Sequence, residues 1–586
     1  MRALPALATA LLTLSAAAVV RADSHPAGVP YPLTPAAIQP DSLAQPLPST
    51  RRYVLVWKDQ LADAVQGVTT AQKQWIVQHY VGTQKLFRSQ IDEYRSMNPG
   101  FLLLVYHLAY GLNGADQNNP VGNITGVDHW GQEDTDSFTP WVAAHGVTRE
   151  NAYEHGTDTG FTNNRISYPD PFWLMNIDST EWRSYVFDTL VEWQGYPTDK
   201  ATGVFLDVAF HPWYNYQPSE WWSGPAGGSS HQALAAWWNP RATAYFKAMR
   251  AAFAPSASHP RYLVIPNPDA LWDEDPAFLD ETDGAFTENW QGPILSNAAD
   301  WSTSAGRVLR YVTSQGKVWI AAITKSGMSL STSEREMLIG TYLLLRNGTS
   351  YFMLGLDDVT WYPEYEIDLG GYEAEPPSDL ESLRVAGQGG ANGGLYARSY
   401  VRGLVLVNSS SGALSYSLPT AMRRAAFSGG GAVDGNAVMP SYTLAYDTDV
   451  PAGSLSVPGQ SVMILRDPSG APPPGEEPGG SGGAGGAGGS GGSAGGGGAA
   501  GAGGASGAGG ASGGAAGGSS TGGAAGVGGL SGSGGAVAAS PGASDASGCA
   551  CRASGPATDS TTWAGWVALA AVAATSGSRA RRRSSR

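Results

Sequence analysis

Between residues 53 and 356, short runs of apolar residues alternate with segments of helical periodicity, and this alternation constrains the fold more than any other feature. The runs are nearly continuous in apolar character, as strands covered on both faces must be. They predict strands over residues 53–57, 75–80, 101–107, 203–208, 262–266, 285–288, 318–324 and 350–356. Eight strands that alternate with helices predict an α/β fold, a (β/α)8 TIM barrel with a parallel sheet.

The segments between these runs carry helix signals. Trp182, Tyr185 and Val186 recur at helical spacing, and the segment 331–334 has the Ser-x-x-Glu pattern of a capping box before an apolar stripe. The stretch 109–171 is longer than an ordinary connection and is rich in Asp, Asn, Gly and aromatic residues. We expect it to form a loop excursion over the mouth of the barrel.

The pattern changes after about residue 385, where the apolar runs become short and are separated by turns. The segments 395–400 and 403–408 predict two paired strands on either side of Val401 and Arg402. We therefore predict a small antiparallel β-sandwich domain over residues 385–466, after a catalytic barrel over 51–375. Such a domain beside a barrel is expected to serve as a packing module more often than as a sugar-binding one.

The composition of the remaining segments indicates export and a tether. Residues 1–22 have the basic start, apolar run and small-residue cleavage site of a signal peptide, with an N-terminal membrane anchor as the alternative reading. Residues 23–50 predict a flexible lead-in. The segment 467–548 is rich in Gly, Ala and Ser. Its part from residue 479 to residue 548 contains 34 of the chain's 79 glycines, a single charged residue, Asp545, and no aromatic residue. Such a segment cannot bury enough apolar surface to fold and predicts a disordered linker.

The C-terminal segment 549–586 contains the chain's two cysteines, Cys549 and Cys551, an apolar run over 563–574 and a cluster of arginines. This order resembles the myxobacterial C-terminal sorting tag (MYXO-CTERM). The resemblance implies processing near the cysteines by envelope sorting machinery and display at the outer surface. The alternative is a freely secreted protein with a frayed tail. Because the cysteines lie in the tail, we expect no disulfide in the folded part.

The charge limits the choice of partner. The formal charge is −15, and when residues 1–22 and 550–586 are left out, 27 basic and 49 acidic residues remain, a charge of −22. Because a chain this acidic repels polyanions, nucleic acid is excluded as the main partner. A neutral or cationic polysaccharide or oligosaccharide fits better. We expect a monomer.

Two carboxylates come at the ends of predicted strands, at the edge where a (β/α)8 barrel carries its active site. Asp207 ends the fourth run and Glu288 ends the sixth, so both are expected at the barrel mouth. Glycoside hydrolysis needs such a pair, one carboxylate to attack or to activate water and one to protonate the leaving oxygen. The alternative is that each residue caps a helix or anchors a loop.

Other polar and aromatic residues follow the strands, where rings can stack on sugars and polar groups can bind hydroxyls. The candidate substrate-binding residues are Trp57, Lys58, Asp59, Tyr106, His107, His211, Trp213, Asn267, Asn289, Trp290, Lys325 and Asp357. Each of them could instead be a capped loop residue, and we expect about half to line the site. Lys325 or Lys58 beside the carboxylates would keep one ionised and let the other stay protonated.

These motifs resemble those of a known group of proteins. A Gly-hydrophobic-Phe-Leu-Asp fourth strand at 203–207, a Gly-hydrophobic-Phe-x-Glu sixth strand at 284–288 and a Tyr-x-Arg-x-Tyr-x-x-Gly-Leu-Val-Leu-Val-Asn segment at 396–408 resemble the hypothetical glycosyl hydrolase family 15 group. The chain is similar, more distantly, to dextranase-like barrels. Over roughly residues 50–465 the resemblance implies that Asp207 is the nucleophile or base and Glu288 the acid. The long insert before Pro171 and the surface tag depart from it.

The nine histidines include no zinc-binding spacing, so we expect no cofactor and no catalytic metal. Asp134, Asp136, Asp357 and Asp358 could hold calcium, although solvated loop acids are commoner. The sequence predicts an exported, surface-associated glycoside hydrolase. A catalytically inactive glycan-binding or adhesive surface protein on the same barrel is the alternative. A barrel hydrolase for another bond, such as a deacetylase, is a weaker alternative.

Overall fold

A computed structural model describes most of the chain between residues 52 and 468, together with residues 47 and 50. Within that span the residues not described are 60, 62–66, 87, 114–137, 157–161, 169–171, 191–200, 210–229, 256–260, 272–275, 356–358 and 391–392. The predicted signal peptide, linker and sorting tail therefore lie outside the described residues.

Eight parallel strands form the central sheet and confirm the predicted barrel. They are β1 (Leu55–Lys58), β2 (Gly82–Gln84), β3 (Leu102–Leu108), β4 (Gly203–Asp207), β5 (Leu263–Pro266), β6 (Gly284–Thr287), β7 (Val318–Ile323) and β8 (Ser350–Leu354). Their order is β5-β4-β3-β2-β1-β8-β7-β6. The two edges meet, since the amide of Asp283, just before β6, donates to the carbonyl of Val264 in β5 over 3.0 Å.

The glycines that begin β4 and β6 are required by close packing between strands. A Cβ on Gly203 would lie 2.6 Å from the carbonyl oxygen of Leu263, and one on Gly284 would collide with the carbonyl oxygen of Val318. No side chain fits in that space without moving the backbone of the neighbouring strand. The two glycines therefore hold β4 and β6 close to their neighbours and fix where Asp207 and Glu288 emerge.

The predicted second strand over 75–80 is wrong, because most of that segment lies in helix α1 (Thr70–His79). The side chain of Thr69 accepts from the amide of Gln72, and the Gln72 side chain accepts from the amide of Thr69. This capping box starts a helix in which Trp75 and Ile76 are buried. The true second strand is the short Gly-Thr-Gln segment of β2, which has no apolar side chain to reveal it.

The other helices surround the sheet. They are α2 (Arg88–Met97), α3 (Phe138–His145), α4 (Thr180–Asp188), α5 (His231–Ala252), α6 (Gln291–Ser296), α7 (Ala298–Tyr311) and α8 (Thr332–Leu345). The predicted capping box at Ser331 and Glu334 begins α8, as expected. The described part of the long insert contains α3 and a small antiparallel sheet of Gly111–Asn113, Phe172–Leu174 and Ser167–Tyr168.

A β-sandwich follows the barrel and confirms the predicted second domain. Its strands are β9 (Arg384–Gly390), β10 (Gly393–Tyr400), β11 (Gly403–Asn408), β12 (Leu414–Leu418), β13 (Met422–Gly429), β14 (Tyr442–Val450), β15 (Gly453–Val457) and β16 (Ser461–Arg466). Six of them form one sheet in the order β9-β10-β11-β16-β13-β14, and β12 pairs with β15. Leu418 and Val457 of the small sheet are buried with Leu395, Leu406 and Leu465 of the large one.

The sandwich is anchored to the barrel at the C-terminal end of α8. The Arg398 guanidinium donates to the carbonyl oxygens of Leu343, Leu344 and Arg346 at 3.2, 3.0 and 2.6 Å. The Tyr400 hydroxyl donates to Leu343 as well, at 2.7 Å. The last carbonyls of a helix have no partner within the helix, so these side chains supply it. In the described residues, none of the helices is long and apolar enough to span a bilayer.

Candidate functional site

The two carboxylates predicted from the strand ends meet at the mouth of the barrel around one amide. Asn267, which follows β5, donates its Nδ2 to Asp207 Oδ1 over 2.7 Å and to Glu288 Oε2 over 2.6 Å. The amide's orientation is defined by its other end, since Asn267 Oδ1 accepts from the backbone amide of Asp269 over 3.0 Å. The nitrogen must therefore face the carboxylates.

This shared donor limits the separation of the two acids. Because Asp207 Oδ1 and Glu288 Oε2 bind the same nitrogen, they can be no farther apart than the two hydrogen-bond lengths combined, about 5.3 Å. Glycosidases that retain anomeric configuration hold their carboxyls about 5–5.5 Å apart, and inverting ones about 6.5–9.5 Å apart. This limit lies below the separation in inverting enzymes and fits the shorter one in retaining enzymes.

Left-handed backbone follows both acids. Val208 has φ +55° and Asn289 has φ +53°. A β-branched residue such as valine is rarely found there, because its side chain crowds the backbone. The bend lets the Val208 amide donate back to Asp207 Oδ1 over 2.8 Å. The carboxylate of Asp207 thus accepts two hydrogen bonds, from its neighbour and from Asn267, that hold its orientation.

A buried lysine supplies the positive charge at the site. Lys85, which follows β2 with φ +60°, places its Nζ 3.2 Å from Asp59 Oδ2 at the end of β1. The same Nζ lies 5.3 Å from the centre of the Tyr106 ring and 5.8 Å from that of Phe205. Cations within about 6 Å of an aromatic face are attracted to it. Lys85 is therefore held between β1, β3 and β4.

The environment separates the proton affinities of the acids and their neighbours. Burial, with the added charge of Asp207, raises the pKa of Glu288 from 4.5 to about 8, although Lys85 and the Asn267 hydrogen bond oppose this rise. Burial alone would lower the pKa of Lys85, but the charges of Asp59, Asp207 and Glu288 outweigh it and hold that pKa above its ordinary value. Glu288 is therefore protonated, and Lys85 charged, at neutral pH.

Tyr106 completes the group around Asp207. Burial raises its pKa well above the ordinary value, and the charge of Asp207 and a hydrogen bond with Asp207 act in the same direction. The Tyr106 hydroxyl therefore stays neutral and can donate a hydrogen bond to the carboxylate of Asp207. Of the predicted substrate-binding residues, Asp59, Tyr106 and Asn267 are thus brought together with the two acids.

Other predicted residues are placed away from the carboxylates. Trp57 is 1% exposed and donates its indole nitrogen to Gln84 over 3.0 Å, while Trp290 is fully buried and donates to Ser304 over 3.1 Å. Neither ring presents a face to the mouth. His107 is fully buried, and its ring packs against Trp182 and Tyr185 of α4, outside the barrel interior.

The remaining predicted lysines have other positions. Lys58 donates its Nζ to the carbonyl oxygen of Gly355 over 2.8 Å. Lys325 lines a cleft of about 320 Å³, together with Asn289, Asp269 and Glu334. Asn289 accepts from the Thr324 hydroxyl over 2.6 Å. The cleft is partly open to solvent and has a mixed polar and apolar lining.

His211, Trp213 and Asp357 lie outside the described residues, and so do the possible calcium ligands Asp134, Asp136 and Asp358. Their roles stay predictions. Over the segments that the structure does describe, His, Cys, Asp and Glu side chains form no group of three or more arranged to hold a metal ion.

Lys85 is the residue of the site that the sequence did not reveal. The sequence pointed to Lys325 or Lys58 as the cation beside the acids, whereas the lysine whose charge acts on Glu288 is Lys85. Lys85 was missed because the second strand was placed in the helix before it. The signal that could have found it is the Thr-x-x-Gln capping box at residues 69–72, which moves the strand to the segment preceding Lys85.

A (β/α)8 barrel carries its active site at the carboxyl ends of its strands, and the pair of acids at that edge fits the chemistry of a glycoside hydrolase. The comparison of sequences makes the assignment specific. The model of the hypothetical glycosyl hydrolase family 15 matches residues 95–404, just over half of the chain, and the chain belongs to this family. Among curated proteins, none matches the sequence.

Solved structures are similar to the chain only at a low level. They include Ega3 of Aspergillus fumigatus in complex with galactosamine (11% identity, 53% of this chain, 93% of that chain, TM-score 0.27). They also include a pullulanase from Bacillus acidopullulyticus (9% identity, 72% of this chain, 62% of that chain, TM-score 0.36). A family 5 glycoside hydrolase from Bacteroides vulgatus is similar at the same level (11% identity, 70% of this chain, 89% of that chain, TM-score 0.29). Similarities this low carry no argument about activity, and the fold rests on the strand order described above.

Proposed function

We propose that the protein hydrolyses O-glycosidic bonds of a neutral or cationic polysaccharide, with Asp207 and Glu288 as the catalytic residues. The observation that supports this proposal best is the amide of Asn267, which binds both carboxylates at once. An acid that only anchored a loop would not need to share its hydrogen-bond donor with a second acid. Two acids held this close cannot easily both be ionised, and this favours one that carries a proton.

The proposed mechanism is a double displacement with retention of configuration. Glu288, protonated at neutral pH, gives its proton to the glycosidic oxygen while Asp207 attacks the anomeric carbon and the leaving sugar departs with that proton. Water then attacks the glycosyl–Asp207 ester, and ionised Glu288 takes a proton from it, which restores both side chains. The limit of about 5.3 Å between the two oxygens favours this route over inversion.

Asn267 and Tyr106 would orient the nucleophile. Each can donate to Asp207, and the Val208 amide donates to the same carboxylate. Three donors leave Asp207 little freedom to turn away from the anomeric carbon, which is how positioning lowers a barrier.

The charge of the chain guides the choice of substrate. With a formal charge of −22 on the part between the proposed signal peptide and tail, the protein would repel acidic glycans and attract neutral or amine-bearing ones. The cleft lined by Asp269, Glu334 and Lys325 would offer carboxylates and an amine for hydrogen bonds to sugar hydroxyls.

We also propose that the enzyme is exported and displayed at the cell surface through its C-terminal tail. The 70 residues between 479 and 548 would span a root-mean-square distance of about 45 Å as a flexible chain. Such a tether would let the barrel reach an extracellular polymer. Protease treatment of intact cells that make the full chain, or a variant that ends at residue 548, tests this. We expect the protease to cleave the full chain at the cell surface, and we expect no surface-bound protein on cells that make the shortened variant. An intracellular full-length protein would contradict the proposal.

A panel of neutral, amine-bearing and acidic polysaccharides, assayed for new reducing ends, tests the activity. Asp207→Asn and Glu288→Gln should each lower turnover by at least 1,000-fold, about the worth of a nucleophile or of an acid in the slow step. Glu381→Gln changes an exposed glutamate just before the β-sandwich, and this matched control should have the activity of the wild type. Full activity of Glu288→Gln would refute its role. Binding without release, unchanged in both variants, would favour the adhesive protein instead.

A further inference from the structure

We propose that Lys85 is a positioning residue for the carboxylate pair, and that its ion pair with Asp59 controls the protonation of Glu288. This inference rests on the proposed glycosidase function. It deepens that function by naming the residues that would set its working pH range. Neither residue need touch the substrate for this role.

The geometry of Lys85 shows a cation that is built into the barrel mouth. Its Nζ lies 3.2 Å from Asp59 Oδ2, and the side chains are 11% and 1% exposed. The left-handed backbone at Lys85, with φ +60°, turns the chain where β2 ends. The rings of Tyr106 and Phe205 lie within 6 Å of the ammonium group. A lysine held on several sides in this way has little freedom to swing toward solvent.

The groups that face Lys85 come from four strands. In the described residues they are Asp59 after β1, Tyr106 on β3, Asp207 at the end of β4 and Glu288 after β6. Three of these groups are acids and one is a neutral phenol, so the lysine is the cation among them. Ionised Asp59 and Asp207 favour a proton on Glu288, and Lys85 opposes this by stabilising the ionised form of Glu288.

Asp59 acts in the opposite direction from Lys85. Its charge adds to the pull on a proton at Glu288, whereas the charge of Lys85 reduces it. The ion pair therefore balances two opposing influences at the acids, and removing either partner should shift the balance in a predictable direction. A pair that served the fold alone would change stability without moving the acids' titration in opposite directions.

The test uses Lys85→Met and Asp59→Asn in the full chain, with the titration of Glu288 followed by ¹³C NMR of its carboxyl carbon. Glu288→Gln assigns the signal. We expect the midpoint to rise by about one pH unit in Lys85→Met and to fall by about one unit in Asp59→Asn. The double variant should return to within a few tenths of the wild type, because both opposing charges are gone. Lys85→Arg keeps the charge and should leave the midpoint nearly unchanged.

The same variants are then compared for hydrolysis as a function of pH. Both limbs of the profile should move up in Lys85→Met and down in Asp59→Asn. The NMR measurement needs no substrate. An absence of hydrolysis in the wild type would refute the proposed function, and the titration midpoints would still test the role of the ion pair. Midpoints that stay constant, or that move in the same direction in both single variants, would overturn the inference. If Lys85→Met does not fold, Asp59→Asn is still expected to lower the midpoint and Lys85→Arg to leave it unchanged, and a midpoint that stays constant in Asp59→Asn would overturn the inference.

Discussion

The raised pKa of Glu288 makes a prediction about stability that can be measured before any substrate is known. The folded protein binds this proton more tightly than the unfolded chain does, because the pKa rises from 4.5 to about 8 on folding. The stability that Glu288 contributes is therefore fully present below pH 4.5 and is lost as the pH rises through 8. Glu288→Gln has no such proton to lose, and its stability should not follow this course.

The size of the effect follows from the shift. A change from 4.5 to about 8 corresponds to about 5 kcal/mol, with a slope of about 1.4 kcal/mol per pH unit between the two values. Glu288 is only partly buried, so solvent screening reduces the energy. We expect the free energy of unfolding of the wild type to fall by about 2–4 kcal/mol relative to Glu288→Gln between pH 4.5 and 8.5.

Urea unfolding followed by tryptophan fluorescence at half-unit pH steps measures this difference. Every other titrating group is present in both proteins, so their contributions largely cancel when the two curves are subtracted. The charge of Asp207 is a main cause of the shift, and the same subtraction in an Asp207→Asn background should give a smaller difference. A difference between wild type and Glu288→Gln that stays flat from pH 4.5 to 8.5 would refute the reasoning.

Three further predictions concern neighbouring parts of the structure. Asn267→Leu removes the amide shared by both acids and should lower kcat by about 10- to 100-fold with little change in KM. The reason is that a hydrogen bond to a charged group is worth about 1.5–3 kcal/mol. An unchanged kcat would contradict the positioning role of Asn267. Arg398→Met removes the donor to the end of α8 and should lower the free energy of unfolding by about 2–4 kcal/mol in urea titrations, with kcat unchanged. Gly340→Ala would drive a methyl group into Val462 across the same interface, and calorimetry should show a loss of about 1–3 kcal/mol, while a neutral result would mean that the interface yields.

The sequence predicted the barrel because its parallel strands are covered on both faces and so form continuous apolar runs. Asp207 and Glu288 could be found for the same reason, as each interrupts such a run where the active-site edge must be. The exception was β2, whose three residues carry no apolar side chain, while Trp75 and Ile76 in the preceding helix mimic a strand. Apolar character shows burial, and it separates helix from strand poorly in segments this short.

The direction of side chains at the strand ends could not be predicted. Tyr106 and His107 are adjacent on β3, yet the first lies beside Asp207 and the second packs against α4. Trp57 fills the barrel interior below Asp59 instead of facing the mouth. Because successive side chains of a strand point to opposite faces, an error of one residue in the register exchanges a site residue for a packing residue.

The turns that leave the strands explain why the arrangement of the site residues resisted prediction. Lys85, Val208, Asp269 and Asn289 all have φ between +53° and +60°, and each follows a strand that contributes to the group around the acids. Of these four residues, Asn and Asp adopt this conformation most easily, and Val and Lys do so at a cost of about 1–3 kcal/mol each. Local propensity would place neither there, so the surrounding barrel must enforce it. The strained backbone at Val208 directs its amide toward Asp207. The strained backbone at Lys85 lies where the side chain turns toward Asp59. The stability of the barrel is therefore used to hold charged groups in positions that the local sequence disfavours.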